Sequence, residues 1–157
     1  MRRDLVVDGV VFGRCSIGGD DATKSIASLY RRLHRNDVNL IMVSGAILSL
    51  YNILDPAALS KTTGVPVVCL TYKETKGIED SIRKHFPRSY EGKLAQYRKL
   101  GARTRVRLAT GHTLFARGEG LEETELKRLL NMFTLQGSIP EPVRVAKLLA
   151  RAAIRPP

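Results

Sequence analysis

Two adjacent carboxylates, Asp20 and Asp21, stand at a glycine-rich turn between an apolar segment and a helical pattern. Carboxylates at the end of a strand in an α/β sheet supply hard oxygen ligands, the kind that Mg²⁺ or Mn²⁺ prefers. Aspartate is also a favoured helix N-cap, because its carboxylate accepts hydrogen bonds from the free amides of the first turn. The pattern therefore predicts either a catalytic, metal-binding pair or a helix cap.

Other positions carry side chains that could also do chemistry. Ser44 follows a continuously apolar run, at the strand end where α/β sheets usually place function, and is a candidate nucleophile or a turn residue. Glu119 stands between two glycines before a helix, where it could reach a metal or remain a solvated acid. The histidines His34, His85 and His112 lack metal-ligand spacing, so capping or surface positions are expected.

The positive charge of the chain is concentrated in one region. The formal net charge is +11, and residues 83–107 contain nine Lys and Arg against the single acid Glu91, a net +8. A basic region favours a polyanionic partner, and tyrosines within it could stack on bases. The alternatives are an acidic protein partner, or tyrosines packed against the domain while the cations stay in water. The residues predicted to bind DNA or another nucleic acid are Arg83, Lys84, Arg88, Lys93, Tyr97, Arg98, Lys99, Arg103 and Arg105.

Composition restricts the class of protein. A chain of 157 residues with 43% hydrophobic content can bury one core, and a single domain over residues 1–157 is expected. Cys15 and Cys69 lie in apolar runs, which favours free thiols in a reducing cytoplasm. No apolar stretch approaches the roughly 20 residues that span a bilayer, and an apolar signal-peptide core is missing at the start, so a cytoplasmic protein is predicted.

Hydrophobic periodicity and turn residues predict alternating strands and helices. Such alternation with short loops is typical of an α/β fold. The helix that begins at Asp55-Pro56 has an N-cap aspartate, a proline at its first position and Gly64 at its end. Strands are predicted at 5–17, 38–43, 65–71, 104–109 and 113–116, and helices at 21–35, 56–63, 78–86, 90–100, 122–132 and 140–153.

The last predicted helix begins with an unusual pattern, Pro140-Glu141-Pro142-x-Arg144-x-Ala146. Two prolines fix the entry of the helix, and Glu141 and Arg144 can pair at i and i+3. The pattern resembles the C-terminal motif of endonuclease V and, more closely, of the archaeal endonuclease dU family. Other segments are similar to that family in order along roughly residues 5–153: Val7-Asp8-Gly9-Val10, Gly19-Asp20-Asp21-Ala22-Thr23, His34-Arg35, Leu40 to Gly45, Thr63 to Val68, and Phe86-Pro87.

This resemblance implies an RNase H-like mixed sheet flanked by helices, and divalent-metal hydrolysis of DNA that contains deoxyuridine. It places metal ligands among the acids and makes Asp21, with Asp20 beside it, the retained carboxylate. Two departures are visible: Ser44 stands where the family has an aspartate, and Lys147 stands where it has a histidine. The resemblance therefore implies a degenerate metal site, with an inactive nucleic-acid-binding paralogue as the alternative.

The family also begins with two further strands, the first carrying an Asp-Asp-Gly run, before the segment that matches residue 5 of this chain. Without them, strand 38–43 needs another neighbour, because orphan backbone groups on a buried strand are costly. We expect strand 5–17 to pair with strand 38–43 in a right-handed βαβ unit, which would bring Asp8 to the metal position. The alternatives are a second copy of the chain that completes the sheet, and a true start upstream.

Overall fold

A computed structural model describes residues 1–74 and 77–154, and these residues alternate between strands and helices as an α/β fold requires. The helices are α1 Ala22–Arg32, α2 Pro56–Thr63, α3 Glu79–His85, α4 Tyr90–Lys99, α5 Glu123–Phe133 and α6 Glu141–Ile154. The strands are β1 Ile41–Ser44, β2 Ile47–Leu48, β3 Asn52–Ile53, β4 Val67–Thr71, β5 Thr104–Arg107 and β6 Thr113–Glu119. The predicted α/β class is confirmed.

The main sheet has the strand order β1-β4-β6-β5. β1 is parallel to β4, whereas β6 is antiparallel to both β4 and β5, so the sheet is mixed as expected. Side chains alternate along β4: Val68 and Leu70 pack with α5 and α6, whereas Val67 and Cys69 pack with α1 and α2. The sheet is therefore flanked by helices on both faces.

Local sequence signals explain α2 in full. The Asp55 carboxylate accepts a hydrogen bond from the Ala58 amide at 3.0 Å, and Pro56 occupies the first helical position. Gly64 ends the helix in the left-handed conformation, with φ of 70°. An N-cap acceptor, a proline at the first helical position and a terminal glycine are the usual signals for the ends of a helix, so the predicted boundaries agree with the structure.

The strand predicted at 5–17 does not form. Among the described residues this segment has no ladder partner, and it lies along α1 instead. Arg32 donates a hydrogen bond to the Phe12 carbonyl at 2.9 Å, and a Cβ at Gly13 would lie only 2.7 Å from Leu29. Glycines that allow close approach, together with arginine donors on the helix, thus hold the segment on α1.

The expected βαβ unit is therefore wrong, because β1 pairs only with β4 among the residues that the structure describes. The strand predicted at 38–43 is Ile41–Ser44, and all four residues are half-buried rather than buried on both faces. One side of β1 thus remains an open sheet edge within residues 1–74 and 77–154.

A second, two-stranded sheet was not predicted. β2 and β3 form an antiparallel pair, Ile47 opposite Ile53 and Leu48 opposite Asn52. Their turn consists of Ser49, Leu50 and Tyr51, all with positive φ, a conformation that non-glycine residues seldom adopt.

None of the helices in the described parts of the chain has the length and apolar character needed to cross a bilayer.

Candidate functional site

Asp21 lies at the start of α1, and three groups donate hydrogen bonds to its carboxylate. The Ser16 amide contacts both oxygens at 3.1 Å, the Ser16 hydroxyl donates at 3.0 Å, and the Asn52 amide donates at 2.5 Å. These bonds, the one from Asn52 having the largest effect, lower the pKa of Asp21 below its usual value. Asp21 is therefore held as an anion, but its side chain does not cap the helix.

Asn52 on β3 is the residue that organises this turn, and sequence reasoning missed it. It is fully buried, accepts a hydrogen bond from the Ala22 amide at 2.9 Å, and donates to the Ser16 carbonyl at 2.8 Å and to Asp21. One side chain thus satisfies the first free amide of α1 and fixes the loop before it. A polar residue between the apolar Tyr51 and Ile53 was the available signal.

Lys93 differs from the exposed phosphate-binding cation that its sequence position suggests. It is only 5% exposed, and its ammonium donates to the Gly19 carbonyl at 2.9 Å, the Asp20 carboxylate at 3.1 Å and the Tyr51 carbonyl at 3.1 Å. The ammonium also lies 4.8 Å from the Phe86 ring centroid. All three N–H groups have partners, so Lys93 holds the Asp20 turn rather than facing a polyanion.

Asp8 lies near the other end of α1. Its carboxylate forms an ion pair with Arg35 at 2.9 Å. Partial burial raises the pKa of Asp8, but the Arg35 guanidinium is the main group that lowers it, and the net result is a pKa below the usual value. An eleven-residue helix is about 16 Å long, which separates Asp8 from Asp21. The expectation that Asp8 approaches the same metal position as Asp21 is therefore wrong.

Among the residues that the structure describes, the carboxylates form no preassembled metal centre. Across residues 1–74 and 77–154, no group of three or more His, Cys, Asp or Glu side chains lies close enough to hold an ion. Asp20, Asp21 and Asp8 each have donors from the protein itself, as described above. The described residues therefore offer no preassembled cluster of three ligands for the Mg²⁺ or Mn²⁺ that the resemblance implies.

Asp20 and Glu119 do line one cleft, of about 270 Å³, between the starts of α1 and α2, the end of α4 and strand β6. Asp55 and Lys99 pair across it at 2.6 Å. Arg117 of β6 lines it too, and donates to the Gly101 carbonyl at 3.2 Å. The charged side chains in the lining are thus the carboxylates Asp20, Asp55 and Glu119 and the cations Lys99 and Arg117.

Ser44 ends β1 and faces the α6 side of the sheet with Tyr72. Burial raises the pKa of the Tyr72 phenol, and the Ser44 hydroxyl acts in the opposite sense without reversing the shift. The Lys147 ammonium lies 5.0 Å from the Tyr72 ring centroid. The neighbour recorded for the Ser44 hydroxyl is thus a phenol whose raised pKa keeps it protonated near neutral pH, so the phenol does not supply the base that would activate a serine nucleophile.

The motif at the start of α6 has a structural role in this chain. Glu141 is 5% exposed, and its carboxylate accepts a hydrogen bond from Arg144 Nε at 2.9 Å, as the i, i+3 spacing predicts. Pro140 is also buried, and Pro142 lies in the first turn.

His34 lies just beyond α1, where its side chain is exposed and its backbone has a φ of 49°.

Most of the basic region is exposed, but its tyrosines pack inward. Tyr90 and Tyr97 contact the core cluster of Ile53, Ile82 and Leu94. This agrees with the alternative in which the tyrosines pack against the domain and the cations stay in water. The exposed cations of residues 83–107 are Arg83, Lys84, Arg88, Arg98, Lys99, Arg105 and Arg107, while Arg103 is half-buried. A polyanion would therefore meet the cations of α3, α4 and β5 first.

Comparisons with known proteins agree with the motif at α6. The family model described as endonuclease dU matches residues 1–154. A UPF0215 protein of Pyrobaculum aerophilum is 37% identical over 97% of this chain and 81% of its own length. A UPF0215 protein of Thermoplasma volcanium is 31% identical over 96% of this chain and 76% of its own.

Solved structures support the same fold. A protein of unknown function from Archaeoglobus fulgidus superposes with a TM-score of 0.76 at 26% identity, covering 90% of this chain and 80% of the other. Endonuclease V of Ciona intestinalis, in complex with a DNA containing inosine followed by a ribo-adenosine, superposes with a TM-score of 0.53 at 11% identity, covering 92% and 70%. The sheet is thus RNase H-like, as in endonuclease V, and the chain belongs to the endonuclease dU family.

Proposed function

We propose that this protein binds DNA that contains deoxyuridine, the base in the name of its family, through the cations of α3, α4 and β5. The observation that carries the proposal is the net charge of +8 on residues 83–107, most of whose cations are exposed. Phosphate contacts by Lys and Arg supply most of the affinity for nucleic acid and position the protein on it.

Arg83 illustrates how such cations can be oriented. Its guanidinium lies 5.1 Å from the Tyr90 ring centroid, so the stem is ordered while the residue stays exposed. Arg98 and Lys99 end α4, where positive side chains also complement the helix dipole. These cations are thus partly oriented before a ligand arrives, which reduces the entropy lost on binding.

A second candidate function is hydrolysis of the same DNA with a divalent metal. The match to the endonuclease dU family over residues 1–154 favours it, as does the ionised Asp21 at the strand-to-helix turn. Because the described acids form no preassembled cluster of three ligands, we derive no catalytic step. Binding without cleavage, the first proposal, is consistent with the concentration of positive charge in residues 83–107. It is also consistent with the hydrogen bonds that Asp8, Asp20 and Asp21 already accept from other side chains.

Binding is tested by fluorescence anisotropy on two matched duplexes that differ in one deoxyuridine. We expect affinity to fall steeply with salt, with a slope of log K against log salt of about −0.9 per phosphate neutralised. Replacing Arg83, Lys84 and Arg98 by Gln should weaken binding, whereas Lys127→Gln with Arg128→Gln, exposed on α5, should not. Salt-independent binding, equal affinity for DNA with and without deoxyuridine, or no binding of the duplexes or of their single strands would contradict the proposal.

Cleavage is tested on the same duplexes with millimolar Mg²⁺ or Mn²⁺. The first proposal expects binding without cleavage. Cleavage that is specific for deoxyuridine and lost in Asp21→Asn, but kept in Arg128→Gln, would establish the second candidate. Activity that persists unchanged in Asp21→Asn would indicate a contaminating nuclease.

A further inference from the structure

One face of the β5–β6 pair is covered with arginine and carries a phenyl ring. Arg105 lies opposite Phe115 in the register, and Arg107 lies opposite Thr113. The alternate residues of these strands, including Val106, point to the core under α5 and α6. Because side chains alternate between faces, the arginines and Phe115 share the opposite face, where Arg105 and Arg107 are exposed.

The centre of this face is a stacked pair. The Arg103 guanidinium lies 5.1 Å from the Phe115 ring centroid. The same guanidinium donates to the hydroxyl of Thr71, the last residue of β4, at 3.1 Å and to the carbonyl of Lys73, two residues further on, at 3.4 Å. The guanidinium is therefore anchored above the ring, and guanidinium planes and aromatic rings are the groups on which unpaired bases stack.

A further cation adjoins the pair on the same face. Arg117 lies two residues along β6 from Phe115, on the same side of the strand. Burial and then the neighbouring Arg103 guanidinium lower the pKa of Arg117. Two guanidinium groups in proximity raise the local positive potential, which a phosphate group would relieve.

We propose that this face of β5 and β6, which we call the arginine face, binds single-stranded DNA. A base stacks on the Arg103–Phe115 pair, and phosphates contact Arg105 and Arg107. These two arginines are two residues apart on one strand, about 7 Å, so they can contact separate phosphates. In a duplex the bases are stacked on one another and cannot stack on the Arg103–Phe115 pair, so the arginine face should bind a single strand more tightly than a duplex. The inference rests on the proposed function and specifies which form of DNA is bound, and where.

The test compares matched double variants in anisotropy titrations with a single-stranded oligonucleotide and the corresponding duplex. Arg105→Gln with Arg107→Gln removes two cations from the arginine face, and Lys127→Gln with Arg128→Gln removes two from α5. We expect the first pair to weaken single-strand binding at least tenfold and to reduce the salt slope by about 1.4, from 0.7 per phosphate. The α5 pair should change neither quantity measurably.

Phe115→Leu separates stacking from charge. Loss of the aromatic ring on which a base stacks should weaken single-strand binding about 5- to 150-fold, with the salt slope unchanged. Circular dichroism and thermal melting check that the sheet is intact, and the two exposed arginines provide the readout if this variant does not fold. A photoreactive 5-iododeoxyuridine in the oligonucleotide should crosslink to the β6 peptide that contains Phe115.

The outcomes separate the two proposals. Equal losses in both double variants, or no loss in the arginine-face variants, would overturn the inference. If only the α3–α4 variants Arg83→Gln and Arg98→Gln lose binding, the inference is overturned and the proposed function stands. If the wild-type protein binds neither single strand nor duplex, both proposals are overturned.

Discussion

Replacing Asn52 by Ala should destabilise the fold strongly, because this side chain makes three hydrogen bonds at a fully buried position. The variant leaves the buried Ala22 amide without a partner, which costs about 1–3 kcal/mol. Ser16 is exposed and Asp21 half-buried, so water replaces much of what they lose, at about 0.5–1 kcal/mol each. The sum is about 2–5 kcal/mol, a large part of the 5–15 kcal/mol typical of a domain.

Urea denaturation followed by circular dichroism measures this loss of unfolding free energy. Asn39→Ala is the matched control, since Asn39 is exposed and makes one local hydrogen bond, and it should cost less than about 0.5 kcal/mol. A loss below about 1 kcal/mol in Asn52→Ala would refute the account of this turn.

The same variant has a pH signature. The pKa of Asp21 is lowered in the folded protein, so its contribution to stability is present above about pH 4 and lost as the pH falls through the folded-state pKa. Asn52 is the largest cause of that shift, so Asn52→Ala should raise the pKa of Asp21. Wild-type protein should therefore lose more stability on acidification than the variant does, and equal losses would contradict the assignment.

Three further predictions concern other elements. Glu141→Gln should cost about 1–2 kcal/mol in urea denaturation, because it weakens the charge-assisted hydrogen bonds from Arg144 to a buried carboxylate. Gly64→Ala should cost about 1–2 kcal/mol in the same measurement, since no side chain crowds the site and only the φ of 70° penalises a Cβ. In thiol titration with an aromatic disulfide at pH 8, Cys15 should react in the folded protein and Cys69 only on unfolding, since burial raises the pKa of Cys69 to about 12. Equal reaction rates for the two thiols would contradict this burial.

Sequence was sufficient where the determinants of structure are local. The caps of α2, the Pro87 break between α3 and α4, and the Glu141–Arg144 pair were all readable, because each depends on residues within a few positions. The order of the motifs also indicated the family, and with it the mixed sheet.

Sequence failed where partners are distant. Asn52 contacts residues 30 or more positions away, and Lys93 contacts a turn more than 70 positions before it. Nothing in the residues around Lys93 distinguishes it from its exposed basic neighbours. The 5–17 segment has the composition of a strand, but composition does not specify which neighbour will supply the ladder, and here α1 holds the segment instead.

The open side of β1 has a consequence for the behaviour of concentrated solutions. Within the described residues β1 has a strand partner on one side only, and a row of unpaired backbone groups invites pairing with other chains. Val10 and Phe12, in the segment on α1, are 46% and 51% exposed and are apolar surface of their own. The formal charge of +11 opposes such encounters by mutual repulsion. Repulsion has a range of about 10 Å at 0.1 M salt but only 3 Å at 1 M. Colloidal stability should therefore decline as ionic strength rises, so that low-salt buffers keep the protein dispersed and concentrated salt promotes clustering.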